Sequence, residues 1–182
     1  MELRCWRKIG GRRYTACADA AGEPAWVHEP HRRGEQLKTF ISHSMEETIA
    51  FGVLIGKAAP GGSVIAFRGD LGAGKTTLSK GIAKGLGIDE EVTSPTYTIV
   101  SEYKGRLALY HIDAYRLAGE ADFAEIGGYD MLENAGSLCL IEWSERLPGI
   151  VNEATATIDI RVEHGDERSL TLSGAWLEAL LP

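Results

Sequence analysis

Residues 69–76, Gly69-Asp70-Leu71-Gly72-Ala73-Gly74-Lys75-Thr76, carry the glycines, lysine and hydroxyl that can hold a polyphosphate. They fit G-x-x-x-x-G-K-[ST], in which main-chain N–H groups wrap the anion at the start of a helix. Gly72 and Gly74 allow close backbone approach and positive φ, while Asp70, Leu71 and Ala73 complete the loop and offer it their amides. Lys75 sets a point charge between β- and γ-phosphates, and the Thr76 hydroxyl suits a Mg²⁺ ligand. Thr77, one residue on, is placed to reach the α-phosphate.

Such a loop needs acids from elsewhere, and two stand at the tips of apolar runs. Asp113 follows 107–112, and Glu142 follows Leu138-Cys139-Leu140-Ile141. A carboxylate at the C-terminal tip of a strand lies on the ligand edge of an open α/β sheet. Either acid can be the Walker B group that helps hold Mg²⁺. Asp113 has the more usual residue type. Glu142 follows the cleaner run, reaches further, and can also orient an attacking water. Both are assigned to the metal site, Glu142 as the closer ligand. The segment Ser94-Pro95-Thr96-Tyr97-Thr98 is rich in hydroxyls, of which Thr96 is taken as a nucleotide contact. It reads either as a loop that closes on the γ-phosphate or as a polar turn.

The elements that must position these groups follow from periodicity. Val64, Ile65, Ala66 and Phe67 form a buried strand before the loop. Leu78, Ile82, Ala83 and Leu86 recur at helical spacing, and Gly87 stops the helix. Ser44-Met45-Glu46-Glu47 is a capping box, with Met45, Ile49 and Val53 on one helical face and an edge strand at 39–42 before it. Strands at 99–103 and 107–112 join through Lys104-Gly105-Arg106. Short helices at 121–132 break at Gly127-Gly128. Ile158, Ile160 and Val162 mark one face of a strand over 155–163, paired with 169–173 in an antiparallel hairpin. Trp176, Leu177, Leu180 and Leu181 close the chain in a short apolar helix. The expected fold is a P-loop NTPase-like mixed α/β sheet flanked by helices, with a C-terminal antiparallel hairpin.

At 182 residues, 44% hydrophobic and 25% charged, the chain can bury a core. Two regions are expected, an N-terminal extension of unknown role over 1–36 and a P-loop ATPase domain over 37–182. The extension reads as a strand-rich appendage, a flexible segment, or a start codon placed too early. Its Trp6, Tyr14 and Trp26 argue against full disorder. Residues 1–38 hold eight basic and five acidic side chains, and the rest hold eleven and twenty-one. A domain that acidic is a poor stand-alone binder of nucleic acid. No apolar run is long enough to span a bilayer. Cys5, Cys17 and Cys139 are too scattered for a zinc site or disulfide framework, which points to a reducing cytoplasm. His28, His31, His43 and His164 have no ligand spacing and read as incidental. No lysine has Asp two positions later, so a guanine-recognition motif is missing and ATP is favoured over GTP.

In order and type these motifs resemble the bacterial TsaE (YjeE) ATPases of tRNA threonylcarbamoyladenosine biosynthesis. The resemblance runs from about residue 37 to 174. It rests on the helix start at Ser44–Thr48, the loop from Gly69 to Thr77, S-P-T-Y-T at 94–98, H-x-D-x-Y-R at 111–116, and Glu142-Trp143. It implies weak ATP hydrolysis with Mg²⁺ as cofactor, beside the partners TsaB and TsaD, which carry the carbamoyl transfer on tRNA. The ATPase would reset or activate that assembly and meet tRNA only through it, with no membrane involved. Lys75, Glu142 and Asp113 would be catalytic, and Thr76 and Glu142 would ligate Mg²⁺ with Asp113 assisting. Residues 94–97 would act as a switch-like loop. Ser44 and the 164–168 turn, with Arg168, would lie near base and ribose. A small-molecule kinase is the rival reading, and a nucleotide-gated binding module with negligible turnover is a third. Arg116 and Arg146 are the only arginines between Arg106 and Arg161, too few for the arginine-rich lid such kinases use.

Overall fold

The computed structural model describes the backbone at 6–9, 12–18, 24–27, 38–153 and 156–182, and side chains over 38–151 and 156–182. Two compact units divide the chain, Met1–Gln36 and Leu37–Pro182. In the first, β1 (Trp6–Ile9), β2 (Arg12–Ala18) and β3 (Pro24–Val27) pair antiparallel in that order. The side chains of Cys5, Trp6, Tyr14, Cys17, Trp26, His28 and His31 lie outside the described residues.

The second unit is built on one seven-stranded sheet. Its strands are β4 (Lys38–Ser42), β5 (Ser63–Arg68), β6 (Val100–Lys104), β7 (Ala108–Asp113), β8 (Ser137–Glu142), β9 (Ala156–Val162) and β10 (Arg168–Ser173). They lie side by side in the order β4-β10-β9-β5-β8-β7-β6. Strands β9, β5, β8 and β7 run parallel, and antiparallel partners flank them on both sides. The C-terminal hairpin is therefore part of the main sheet. Ile158 and Ile160 are buried as the alternation predicts, but Val162 is 50% exposed. The last β5–β9 pair is Arg68 with Asp159, so β9 overruns its neighbour and Val162 has no core above it. Thr155 lies outside the described residues.

Helices α1 (Met45–Ala58) and α2 (Lys75–Gly85) cover one face of the sheet. That core holds Ile65, Phe67, Leu109, Leu138, Leu140, Ile158 and Ile160 with Phe51, Ile55, Leu78 and Ile82. The opposite core takes Val64, Ala66, Ile112, Cys139 and Ile141. Phe123 of α3 (Glu120–Glu125), Ile150 of α5 (Pro148–Glu153) and the flank of α4 (Gly128–Glu133) pack there. Successive strand side chains point to opposite faces, which sorts each run into two layers. Burial pushes the Cys139 thiol up to about 11, so it packs as an inert small hydrophobe. A short α6 (Ala175–Glu178) closes the first core with Leu177. Among the described residues no helix is long and apolar enough to cross a membrane.

The buried face of α1 differs from the Met45–Ile49–Val53 stripe expected from periodicity. Thr48, Phe51, Gly52, Ile55 and Gly56 are buried, whereas Met45 is 59% exposed. The reason is a glycine seam. Gly52 and Gly56 of α1 face Gly81 and Gly85 of α2, so the two backbones touch. A Cβ on Gly56 would stand 2.1 Å from the Ile82 carbonyl oxygen, and one on Gly81 2.3 Å from that of Ile49. Small residues at such a spacing let helices approach without side chains between them.

Caps then fix both helices. The Ser44 hydroxyl accepts from the Glu47 N–H at 3.1 Å, and the Glu47 carboxylate accepts from the His43 N–H at 2.7 Å. At the end of α2, Gly87 takes φ +75, with its N–H on Lys84 and that of Ile88 on Ala83, a Schellman closure. Arg106 reaches from the β6–β7 turn to the carbonyls of Gly56 at 2.8 Å and Ala59 at 2.9 Å. Its own N–H donates to Leu86 O. One turn thus satisfies orphan carbonyls of both helices.

The seam gives a direct test. Gly56→Ala forces the backbones apart, an overpacking cost of about 1–3 kcal/mol. The thermal midpoint is expected to fall by roughly 3–10 °C. An unchanged melting temperature would contradict the packing described.

Candidate active site

Strand β5 ends where the loop begins, and three glycines shape that loop. Gly69, Gly72 and Gly74 have φ of +138, +78 and +112. At Gly69 space also matters, because a Cβ would stand 2.3 Å from the Ile160 carbonyl oxygen of β9. Gly72 and Gly74 have open space around them, so only their backbone conformation demands glycine. Gly74 caps α2 with no side-chain hydrogen bond, which leaves the first amides of the helix without a side-chain acceptor. Ala73 is buried under the loop, whereas Leu71 is 88% exposed and contributes only backbone.

Lys75 is buried although it is charged. Its ammonium donates to the carbonyls of Gly69 at 2.7 Å and Asp70 at 3.0 Å. It also lies 3.9 Å from the centre of the Trp143 ring, a cation–π contact. Burial lowers its pKa from the ordinary 10.5, while Glu142, Glu145, Asp113 and Asp70 pull the other way.

The two strand-tip acids are neighbours because β7 and β8 run parallel with Asp113 opposite Glu142. Both are buried. They serve different partners. The Thr76 hydroxyl donates to Glu142 Oε1 at 3.1 Å, and Glu142 Oε1 also lies 2.8 Å from His111 Nε2. Asp113 instead holds the hydroxyl-rich loop. Its Oδ2 accepts from Thr96 at 3.0 Å and Ser94 at 3.5 Å. Its Oδ1 accepts from the Tyr115 N–H at 2.9 Å, capping the 3₁₀ turn Ala114–Arg116. Asp113 therefore joins Thr96 and Ser94, and Glu142 joins Thr76.

Among the described residues no cluster of three His, Cys, Asp or Glu side chains could hold a metal ion. The adjacent Thr76 hydroxyl and Glu142 carboxylate still fit Mg²⁺, a hard cation that takes few protein oxygens and keeps several waters.

Beside the loop is a cleft of about 450 Å³. Ser44, Gly72, Gly74, Thr77 and Arg168 line it together with Glu46 and Asp166. Five predicted nucleotide contacts from three distant segments thus meet in one place. Arg168 Nη1 is held by the carbonyls of Gly165 and Glu167, which stiffens that wall. The exposed His43 Nδ1 lies 3.1 Å from Glu167 Oε2, so this side chain links the start of α1 to the same turn.

Two residues at the site escaped the sequence reading as site residues. His111 was visible in principle, since it stands two positions before Asp113 on one strand and shares its face. Trp143 stands in the Glu142-Trp143 pair of the resemblance, but its contact with Lys75 depends on a left-handed backbone at φ +56 just past β8, which its residue type does not signal.

Residues 42–170 match the family described as threonylcarbamoyl adenosine biosynthesis protein TsaE. The chain is 44% identical over 133 residues to the tRNA threonylcarbamoyladenosine biosynthesis protein TsaE of Treponema pallidum, covering 73% of this chain and 98% of that one. Its Bacillus subtilis counterpart is 41% identical over 70% of this chain and 80% of its own length. The crystal structure of YdiB from the same bacillus superposes with a TM-score of 0.62 at 35% identity, covering 78% of this chain and 88% of that one. A fold in common, a matched span over most of the second unit and these identities lead to one conclusion: the chain belongs to the TsaE family of threonylcarbamoyladenosine biosynthesis proteins.

Proposed function

We propose that this protein is a Mg²⁺-dependent ATP-binding and hydrolysing subunit of the cytoplasm. It supports TsaB and TsaD in forming threonylcarbamoyladenosine on tRNA next to the anticodon. The observation that carries the reading is the Thr76–Glu142 hydrogen bond beside a buried loop lysine. It joins the phosphate loop to a strand-tip acid 66 residues away. Mg²⁺ held there would neutralise charge on the β- and γ-phosphates. Lys75 exchanges its carbonyl partners for phosphate oxygens, and the loop amides wrap the chain of phosphates. Glu142 orients water toward the γ-phosphorus. Asp113 holds the 94–96 hydroxyls near that end of the site. The cleft between Ser44 and Arg168 receives base and ribose. A core carrying twenty-one acidic against eleven basic residues supports contact with tRNA through partners only.

Phosphate release by the isolated protein, and then with TsaB and TsaD, tests this. Turnover is expected to rise with the partners, and phosphoryl transfer to a small acceptor would overturn the reading in favour of a kinase. Lys75→Ala is expected to abolish ATP binding in an equilibrium titration, and unchanged affinity would remove Lys75 from the site. Glu142→Ala is expected to keep binding within several-fold while hydrolysis falls by about two orders of magnitude or more. Full turnover in that variant would exclude Glu142.

The lowered Lys75 pKa adds a pH dependence. Phosphate binds the ammonium form, so affinity is full while free Lys75 is protonated. It falls as pH rises through the lowered value, before the ordinary 10.5 is reached. Over the same window Lys75 holds its proton in the unfolded chain but not in the folded one, so this group's contribution to the stability of the unliganded protein grows as pH rises. An ATP affinity that is flat up to pH 10.5 would contradict both.

A further inference from the structure

His111 is fully buried on β7, and its Nε2 lies 2.8 Å from Glu142 Oε1. A carboxylate only accepts, so Nε2 carries the proton and donates it. The other ring nitrogen, Nδ1, is buried without a hydrogen-bond partner. Burying an unpaired polar atom costs free energy, and an apolar ring of similar size would fill the space without that cost. A buried group left half satisfied in this way calls for an explanation. The single side-chain hydrogen bond described for His111 runs to Glu142.

Glu142 Oε1 accepts from both His111 and Thr76, whereas Oε2 has only a longer contact of 3.4 Å from Thr76. If the Thr76 hydroxyl turns to a cation, the His111 bond is the one that still fixes the carboxylate. We propose that His111 is a positioning residue. It clamps Oε1 so that the Glu142 carboxylate keeps one orientation toward the cation and the attacking water. This inference rests on the hydrolytic role proposed above for Glu142. A flexible glutamate without that clamp spreads over several rotamers, and a misplaced reacting group is slow even when substrate is bound.

Three variants test it on the full chain. Glutamine can place its amide nitrogen near Nε2, asparagine is too short to do so, and phenylalanine has no donor. His111→Phe is expected to lower kcat by about 10–100-fold, with ATP affinity changed by no more than about threefold. His111→Gln recovers most of that loss and His111→Asn does not. Combining His111→Phe with Glu142→Ala slows hydrolysis no further than Glu142→Ala alone. A second readout needs no nucleotide. Long-range ¹H–¹⁵N spectra of histidine-labelled protein are expected to show His111 protonated at Nε2, with a slowly exchanging proton that is lost in Glu142→Ala.

If Glu142→Ala hydrolyses ATP at the wild-type rate, the reading of the site falls and takes this assignment with it. If Glu142→Ala is slow, three results would each overturn the assignment alone: full turnover by His111→Phe, His111→Gln no faster than His111→Asn, or a proton on Nδ1.

Discussion

Parallel pairing of β5, β8 and β7 is the constraint on which the rest of the structure depends. Their hydrogen-bond ladders hold Ala66 beside Ile141 and Asp113 beside Glu142. Three strands that share a direction must end on one edge, and that edge receives the phosphate loop. The alternation of side chains does the remaining sorting. Leu109 and Leu140 point to the face that carries α1 and α2. His111, Asp113 and Glu142 continue the same rows and so arrive beside the helix that starts with Lys75. A slip of one residue in either strand would turn the acids to the opposite core.

The site then has an electrostatic problem that its neighbours answer. Burying Lys75 disfavours its charge, and the surrounding carboxylates, carbonyls and indole face restore part of that loss. The lysine is thus held in place by two main-chain carbonyls and an indole face. The same arrangement places Glu142 between a hydroxyl and an imidazole, both of which limit where its oxygens can go.

Among the described residues two non-glycine residues sit in the left-handed region, Ile99 at φ +66 and Trp143 at φ +56. Each costs on the order of 1–3 kcal/mol and persists only where its surroundings hold it. Ile99 ends the 94–98 loop, with its N–H on Pro95 O at 2.7 Å and its carbonyl accepting from Asp113 N at 2.9 Å. Trp143 turns the chain from β8 into the 3₁₀ turn Ser144–Arg146, which Ser144 anchors by donating to Phe67 O at 2.9 Å. Strain therefore borders the two segments that bring Asp113's loop and the Trp143 ring to the site.

Sequence alone determined the strand–loop–helix around Lys75, the two tip acids, the capping box at Ser44 and both hairpins. Each is a local pattern of hydrophobic period, glycine and cap, and local patterns survive without knowledge of neighbours. It did not determine the buried face of α1, since glycines carry no hydrophobic signal and the seam exists only when Gly52 and Gly56 meet Gly81 and Gly85. Nor did it assign Asp113 to Thr96 and Glu142 to Thr76 and His111. Those partnerships depend on strand order and register. They are set by hydrogen-bond ladders between segments far apart in the chain, and no single stretch of residues encodes them.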